Sequence, residues 1–474
     1  MGHATRSRAR RMSAAASLRS AACVPPSRGV PPPRGVPPRR GSAPACSDGA
    51  VWALALGRLR GVYLGWWVVA GAMGLQASQA ALLSNVFGVY VVALTREFGW
   101  STAAVASGFA LIQLQGGLLG PLQGLVLDRF GPRRVIGVGV VVFGAGLAAL
   151  ATVGSLTGFY AALLVVGLGA ALTGYLSVTT AIVPWFLRRR ATAMAWMALG
   201  ASAGGLLVPL VAGAVVTFGW RPTVLASGLV MLLVGLPSAA LMRREPGRYG
   251  LTVDGGFRGL PDAARGAITV PEGDPEHDFT LRAALRTRSF WMLGLGHGSA
   301  LLVVSAVIVH LVPHLSSGVG MSLTAAASVV AALTIVTAVG QALGGVLGDR
   351  VPKRRLAMGA MFAHAGGLLA LAWLPDAVGI GVFLLLHGLA WGVRGPLMGA
   401  MRADYFGGTH FGVIMGASTL VFMPGQLLGP ITAGLMADAF GDYRWGFTLL
   451  AALAALGSLA FRLATPPLPR QPQD

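Results

Sequence analysis

The chain has 474 residues, of which 55% are hydrophobic and 11% are charged. Soluble domains carry about a quarter charged residues, so this composition excludes a soluble enzyme, a disordered scaffold and a fibre. The formal net charge is +20, which in a soluble protein would indicate nucleic-acid binding. The positive residues here lie between long hydrophobic segments, so the lipid bilayer is the expected partner and no nucleic acid is predicted.

Residues 1–57 form a low-complexity segment rich in Arg and Pro. Proline at this density favours extended polyproline II and cannot build a packed core. A disordered tail is therefore predicted, and a translation start beyond this segment is the alternative. Both cysteines, Cys23 and Cys46, lie in this tail, which leaves no Cys-based metal site for the folded body.

Twelve hydrophobic segments follow the tail, most of them long enough to cross a bilayer as an α-helix. Solid apolar runs favour helices, because a membrane-crossing strand shows alternation and requires a closed barrel. An all-α integral membrane protein with twelve transmembrane helices is the predicted fold class. The predicted spans are 62–92, 102–126, 134–153, 156–184, 192–217, 222–242, 289–315, 322–347, 356–374, 377–401, 409–436 and 444–464.

Arginine and lysine concentrate in every second connection between these spans. The alternate connections are short and nearly uncharged. By the positive-inside rule, the basic connections and both termini are expected to be cytoplasmic in a multi-pass cell (plasma) membrane protein. Most of the net positive charge is thus interpreted as a topology signal. The basic connections contain Arg129–Arg134, Arg188–Arg190, 243–288 and Arg350–Arg355.

The long polar connection 243–288 separates six spans from six spans and is interpreted as a cytoplasmic linker. It divides the chain into an N-terminal bundle over 58–242 and a C-terminal bundle over 289–465, followed by a tail over 466–474. Equivalent polar, Gly and Pro positions recur in the two halves at one constant difference in numbering, which indicates an internal duplication typical of transporters. We call the difference between the residue numbers of Asp128 and Asp349 the repeat offset. The other pairs matched at the repeat offset are Arg129 with Arg350, Arg133 with Arg354, Arg134 with Arg355, Gly204 with Gly425, Pro209 with Pro430 and Gly213 with Gly434.

Two equivalent connections carry one motif. Between spans 2 and 3 it reads Gly124-x-x-x-Asp128-Arg129-x-Gly131-Pro132-Arg133-Arg134, and between spans 8 and 9 it reads Gly345-x-x-x-Asp349-Arg350-x-Pro352-Lys353-Arg354-Arg355. Glycines let helices approach closely, and an interfacial carboxylate can accept hydrogen bonds from a helix N-terminus and pair with Arg. We therefore predict a conformational latch formed by Gly124, Asp128, Arg129, Gly131, Arg133, Arg134, Asp349, Arg350, Arg354 and Arg355.

The repeated motif resembles the cytoplasmic-loop signature of the major facilitator superfamily, and the chain is similar to that superfamily from about residue 60 to residue 465. The resemblance implies two pseudo-symmetric six-helix bundles that rock against each other in alternating access. Other segments resemble the monocarboxylate-porter and oxalate/formate-antiporter group, which implies a small organic anion moved with a proton or exchanged for another anion. These segments are Tyr63-Leu-Gly-Trp66-Trp67, Phe98-Gly-Trp100-Ser101, Trp185-Phe-x-Arg188-Arg-Arg190 and Gly429-Pro430 with Gly434.

The chain departs from that group in its charged positions. Well-known monocarboxylate porters place a Lys in the first span and an Asp–Arg pair in the eighth, whereas both spans are uncharged here. Every acid in the hydrophobic region falls at a span end, so no carboxylate proton relay is predicted. A cotransported proton would have to be carried by a histidine or by the substrate, and anion exchange is the alternative.

Arg394 lies inside predicted span 10. An arginine at mid-membrane costs about 2.5–3.5 kcal/mol on insertion scales, so it normally faces a polar cavity or a partner. At about 100° per residue, His387, Trp391 and Arg394 share one helical stripe, which suits a planar carboxylate. A structural arginine near the Gly395-Pro396 break is the alternative. The predicted substrate-binding residues are Arg394, His387, Trp391, Gln79, Asn85 and Gln341.

Two transport functions stay open at this point. The first is a secondary transporter of a small organic anion, and the second is a drug or metabolite efflux permease with a mostly apolar cavity. The sequence carries no phosphate-binding loop, metal-ligand cluster or nucleophile–base set. Neither an enzyme nor an ATP-driven pump is therefore predicted, no cofactor is expected, and the chain is expected to be monomeric.

Overall fold

The computed structural model describes residues 62–255, 278–374 and 376–467. The predicted tail 1–57, the middle of the predicted linker and most of the C-terminal tail lie outside these ranges. Within them the regular elements are helices, and twelve segments are long and apolar enough to cross a membrane. The predicted all-α membrane fold with twelve spans is confirmed.

We number these segments span 1 to span 12. The N-terminal half contains Leu64–Phe98, Ser107–Phe130, Pro132–Ala151, Leu156–Trp185, Arg190–Phe218 and Trp220–Leu241. The C-terminal half contains Arg288–Ser316, Ser328–Gly348, Lys353–Trp373, Ala377–Phe406, Phe411–Phe440 and Arg444–Leu463. The helices of spans 2 and 8 begin slightly earlier, at Thr102 and Leu323.

Several spans change helical geometry along their length. Span 1 consists of the helices Leu64–Gln79 and Phe87–Phe98, joined through a π-helical turn over Ala80–Ser84. Span 7 ends in a second π-helical turn, His314–Gly318. Span 4 divides at Gly174 into Leu156–Thr173 and Tyr175–Ile182, and span 5 divides into Arg190–Gly205 and Val208–Phe218.

The internal duplication is visible in the caps of spans 2, 4, 8 and 10. Ser101 and Ser322, which are separated by the repeat offset, accept hydrogen bonds from Ala104 N and Ala325 N. Ser155 and Asp376, separated in the same way, accept hydrogen bonds from Gly158 N and Gly379 N at 3.1 and 2.8 Å. Short polar side chains satisfy the free N–H groups of a helix start, so both halves cap these helices in the same way.

The duplication also extends to helix packing. A Cβ atom added to Gly204 in span 5 would collide with the backbone oxygen of Ala77 in span 1. Its counterpart Gly425 in span 11 meets the backbone oxygen of Gly298 in span 7 in the same way. Ala77 and Gly298 are themselves separated by the repeat offset, so the two close crossings are equivalent.

The outer surface of the bundle is apolar. Large hydrophobic side chains are exposed along most spans, and Val216 reaches 86% exposure. A soluble protein rarely exposes so continuous an apolar surface, whereas lipid tails cover it without penalty. The buried residues form two hydrophobic clusters, one drawn mainly from each half.

Each end of the linker is tied to a connection in its own half. The Asp254 carboxylate accepts a hydrogen bond from Arg188 N at 2.9 Å, just before span 5. Asp278 accepts one from Gly408 N at 3.0 Å, just before span 11. The Tyr63 hydroxyl lies 3.0 and 3.1 Å from the carbonyl oxygens of Trp185 and Thr252, and burial raises the pKa of this phenol.

We expect Gly204→Val and Gly425→Val each to destabilise the bundle. The new side chains would meet backbone atoms that cannot rotate away, and overpacking of this kind costs about 1–3 kcal/mol. The midpoint of thermal unfolding in detergent should fall for both variants. Gly359→Val is the matched control, because nothing lies within 4 Å of a Cβ atom at that glycine. Equal midpoints in all three variants would contradict the assignment of these crossings.

Candidate functional site

The two motif aspartates bridge the halves of the molecule. The Asp128 carboxylate accepts hydrogen bonds from Gly412 N at 3.1 Å and Val413 N at 2.9 Å, at the start of span 11. Asp349 accepts from Ala191 N at 2.8 Å and Thr192 N at 3.0 Å, at the start of span 5. Each carboxylate thus lies at the positive end of a helix dipole in the opposite half.

These two contacts are equivalent by the duplication. The paired donors Ala191 and Gly412, like Thr192 and Val413, are also separated by the repeat offset. Gly124 makes the first contact sterically feasible, because a Cβ atom there would collide with the backbone of Gly412. A carboxylate that accepts two N–H groups at a helix start compensates donors that have no partner inside the helix.

The motif arginines do not take part in these contacts. No ion pair among the described residues involves Arg129, Arg133, Arg134, Arg350, Arg354 or Arg355. Of the two contacts expected for these aspartates, the hydrogen bonds to a helix N-terminus are present, and the pairing with arginine is absent among the described ion pairs. The ion pair that joins the halves is instead formed by Arg190 with Asp404, and Asp404 also binds Lys353 at 2.9 Å.

The halves are closed over the end that carries the motif, which we call the basic end. Further hydrogen bonds between the halves join Ser202 Oγ to Gln341 Oε1 and Thr419 Oγ1 to Gly117 O, both at 3.0 Å. Gln341, predicted as a substrate contact, is thus held by Ser202 in this closed arrangement.

The structure places the predicted stripe of span 10 inside the C-terminal half. His387 is fully buried, its Nδ1 lies 3.1 Å from Nδ1 of His364 in span 9, and its ring stacks on Phe383. Trp391 is half-buried, with its ring 6.2 Å from that of His387. Arg394 is 2% exposed, and its Nε and Nη1 have no hydrogen-bond acceptor among the described residues.

A second buried arginine lies in the same helix. Arg402 is 1% exposed, its Nη1 donates to Met398 O at 3.0 Å, and its Nη2 lies 3.4 Å from His297 Nδ1 in span 7. Its Nε is also unpaired among the described atoms. Arg402 lies beyond the predicted end of span 10 at residue 401, whereas the helix continues to Phe406.

Tyr175 of the N-terminal half approaches this pair of arginines. It lies near Arg394 and Arg402, and its hydroxyl would lie 3.0 Å from a Cβ atom added to Gly399, which stands between the two arginines in span 10. We call Arg394, Arg402 and Tyr175 the guanidinium cluster: it offers cationic donors and a phenol, and no described carboxylate pairs with either arginine.

The two predicted polar residues of span 1 serve other contacts. Gln79 Nε2 donates to Ala170 O at 2.7 Å, which ties span 1 to span 4. Asn85 is exposed at the end of the π-helical turn, beside Gly205. None of the described contacts of either residue reaches Arg394. The described residues contain no group of three or more His, Cys, Asp or Glu side chains that could hold a metal ion.

The Major Facilitator Superfamily model matches residues 73–393 and 293–474, so the chain belongs to this superfamily. It is 29% identical to monocarboxylate transporter 11 of Mus musculus over 413 residues, covering 84% of this chain and 86% of that protein. It is 27% identical to the oxalate:formate antiporter of Oxalobacter formigenes over 400 residues, covering 81% and 86%. The solved human organic anion transporter MFSD10 (TETRAN) shares the fold, with a TM-score of 0.63, 18% identity, and 84% and 98% of the two chains covered.

We expect Asp128→Ala and Asp349→Ala each to shift the protein toward opening at the basic end. Each substitution removes a charged acceptor from two helix N–H groups, and hydrogen bonds to charged groups contribute about 1.5–3 kcal/mol each. A cysteine replacing Ala195, which is buried against Gly345, should then react several-fold faster with a thiol reagent. Cys23 and Cys46 are replaced by serine in this experiment.

Asp376→Ala is the control for this measurement. It removes the same type of helix cap, but within one half and at the opposite end. If the reactivity at position 195 were the same in all three aspartate variants, the two motif contacts would not hold the halves together.

Proposed function

We propose that this protein is a secondary transporter of a small organic anion. The guanidinium cluster is the observation that carries this proposal. Arg394 and Arg402 are almost completely buried, and a buried charge is costly unless it is paired and hydrogen-bonded. A carboxylate entering from the end opposite the basic end would supply the missing charge and accept the free N–H groups.

The relatives support an anionic substrate. Their names specify monocarboxylates in one case and oxalate and formate in the other, and all of these are small carboxylates. Planar carboxylates match the two-pronged donor geometry of a guanidinium. Tyr175 adds a donor from the N-terminal half, so an anion bound here would contact both halves of the molecule.

We further propose that the substrate moves by alternating access. The basic end is cytoplasmic by the positive-inside rule, which makes the described arrangement the outward-facing one. Substrate that neutralises the cluster would let the halves rock, and the contacts of Asp128 and Asp349 would then break to open the basic end. The coupling is either cotransport of a proton, carried by a buried histidine or by the substrate itself, or exchange of one anion for another.

We expect Arg394→Ala and Arg402→Ala each to reduce anion uptake at least about 10-fold, because truncating one partner of a buried charge pair costs about 2–5 kcal/mol. Uptake of lactate, pyruvate, formate and oxalate into proteoliposomes, with and without a pH gradient, measures this effect. Arg462→Ala is the control, since that arginine is exposed at the end of span 12.

The same panel includes neutral drugs. Transport of a neutral compound that survives Arg394→Ala, with no carboxylate transported by the unmodified protein, would overturn the anion assignment. That result would favour an efflux permease instead.

We also expect cysteines replacing Arg134 and Arg355 to react with an impermeant thiol reagent from the same side of the membrane. Both turns lie at the basic end, and the positive-inside rule makes that side cytoplasmic. The test uses inverted and right-side-out vesicles of a variant that lacks Cys23 and Cys46. Labelling of the two positions from opposite sides would contradict the proposed topology.

A further inference from the structure

A cavity of about 780 Å³ opens at the basic end, between the connection of spans 2 and 3 and the start of the linker. Six of its lining residues are arginines, and none of those described is acidic. We call it the arginine pocket. Its arginines are Arg129, Arg133, Arg134, Arg243, Arg244 and Arg248.

We propose that the arginine pocket binds a phosphate-bearing anion, and that the head group of an anionic phospholipid is its occupant. Guanidinium groups bind phosphate oxygens in pairs of parallel hydrogen bonds. Arg133 and Arg134 also lie in the first turn of span 3, whose leading N–H groups have no acceptor inside the helix. Helix starts of this kind favour phosphate.

The positive charge of the pocket is largely uncompensated. Among the described ion pairs, only Arg248 of this set has an acidic partner, Glu245, at 2.7 Å on the exposed side. Arg244 donates from Nη2 to the backbone oxygen of Asp128 at 3.0 Å, and Arg243 lies over the Tyr249 ring. These contacts position the arginines without neutralising them, so a bound anion would relieve their mutual repulsion.

The surroundings of the pocket favour a lipid over a soluble phosphate. Phe130 and Val138 also line it, and they are 49% and 58% exposed. Exposed apolar side chains beside a cationic pocket at a membrane surface match an amphiphile, whose head group enters the pocket while its acyl chains lie along the span. Cytoplasmic leaflets are rich in anionic lipid and attract basic clusters at about 1 kcal/mol per Arg or Lys.

The duplication provides an internal comparison. The counterparts of Arg243 and Arg244 at the repeat offset are Ala464 and Thr465. In the C-terminal half, Lys353 forms an ion pair with Asp404, which neutralises its charge. The C-terminal half therefore builds the same fold without arginines at the positions equivalent to Arg243 and Arg244. Helix packing alone does not require Arg243 and Arg244, which supports a binding role for them.

Occupancy of the pocket is linked to closure of the halves. The Asp128 carboxylate accepts its two hydrogen bonds at the closed interface between the halves. The Asp128 backbone oxygen accepts a hydrogen bond from Arg244, which lines the arginine pocket. An anion that fixes Arg244 beside the span 2–3 connection would hold Asp128 where it meets span 11. Lipid bound here should favour the state closed at the basic end, since a ligand stabilises the state that it binds better.

The test measures thermal unfolding of the full chain in neutral detergent with added phosphatidylglycerol, phosphatidylcholine or inorganic pyrophosphate. We expect phosphatidylglycerol to raise the unfolding midpoint and phosphatidylcholine not to. In the double variant R243Q/R248Q, the phosphatidylglycerol concentration needed for half of the effect should rise about 30-fold. The control R282Q/R286Q removes the same charge at the same end, outside the pocket.

R243Q leaves the backbone oxygen of Arg243 free to accept its hydrogen bond from Trp185 Nε1. The single variant R248Q keeps the experiment decisive if the double variant folds poorly, because the Arg248 side chain is 61% exposed. It should weaken the lipid effect in the same direction.

An equal loss of the lipid effect in R243Q/R248Q and R282Q/R286Q would overturn the proposal in favour of diffuse surface attraction. An equal effect of the two lipids would also overturn it. Protection by pyrophosphate alone would overturn the lipid assignment and leave a soluble phosphate as the ligand. None of these measurements requires transport, so their failure leaves the proposed function untouched.

Discussion

Two carboxylates accept hydrogen bonds from helix starts across the two halves of this structure. Asp128 binds the first turn of span 11 and Asp349 binds the first turn of span 5. Each contact joins one half of the chain to the other, and each depends on small residues that let the helices meet. Because helix N-termini are fixed dipoles, these contacts form without any rearrangement of flexible cationic side chains. They are therefore suited to form and break as units.

The guanidinium cluster and the interhalf contacts are related through span 10. Arg394 and Arg402 lie within that helix, and Asp404 near its end binds both Arg190 and Lys353. A helix that carries uncompensated charge toward its middle and an ion-pair network at its end can transmit a change at one to the other, because a packed helix moves as a rigid element. We regard this physical continuity as the basis of the proposed coupling between substrate and closure.

The duplication explains which features are structural and which are particular to one half. Caps, glycine crossings and carboxylate contacts all recur at the repeat offset, so they belong to the common architecture. Arg394 and Arg402 of the guanidinium cluster do not recur, and neither do Arg243 and Arg244 of the arginine pocket. The counterparts of Arg394 and Arg402 in the N-terminal half are Thr173 and Ala181. Asymmetry of this kind is expected where function has been added to a repeated scaffold.

The sequence by itself determined the membrane fold, the number of spans and the equivalence of the halves. Long apolar runs cross lipid as α-helices, since their backbone groups must form hydrogen bonds within the segment itself. It also located the motif aspartates, because a carboxylate at a span end needs a partner. The arginine pairing expected beside the helix N-terminus is absent among the described ion pairs, since which donor lies nearer is a matter of tertiary distance.

Only the tertiary structure decided which polar residues come together. His387 turned out to contact His364, while Gln79 and Gln341 are held by Ala170 and Ser202. Arg402 was outside the predicted span because helix ends are weakly encoded in apolar sequences. Periodicity gives the face of a helix on which a residue lies, but it does not give the neighbour of that face. For that reason, periodicity did not predict the approach of Tyr175 to the arginines of span 10. It occurs in the folded chain, where two segments distant in sequence pack side by side.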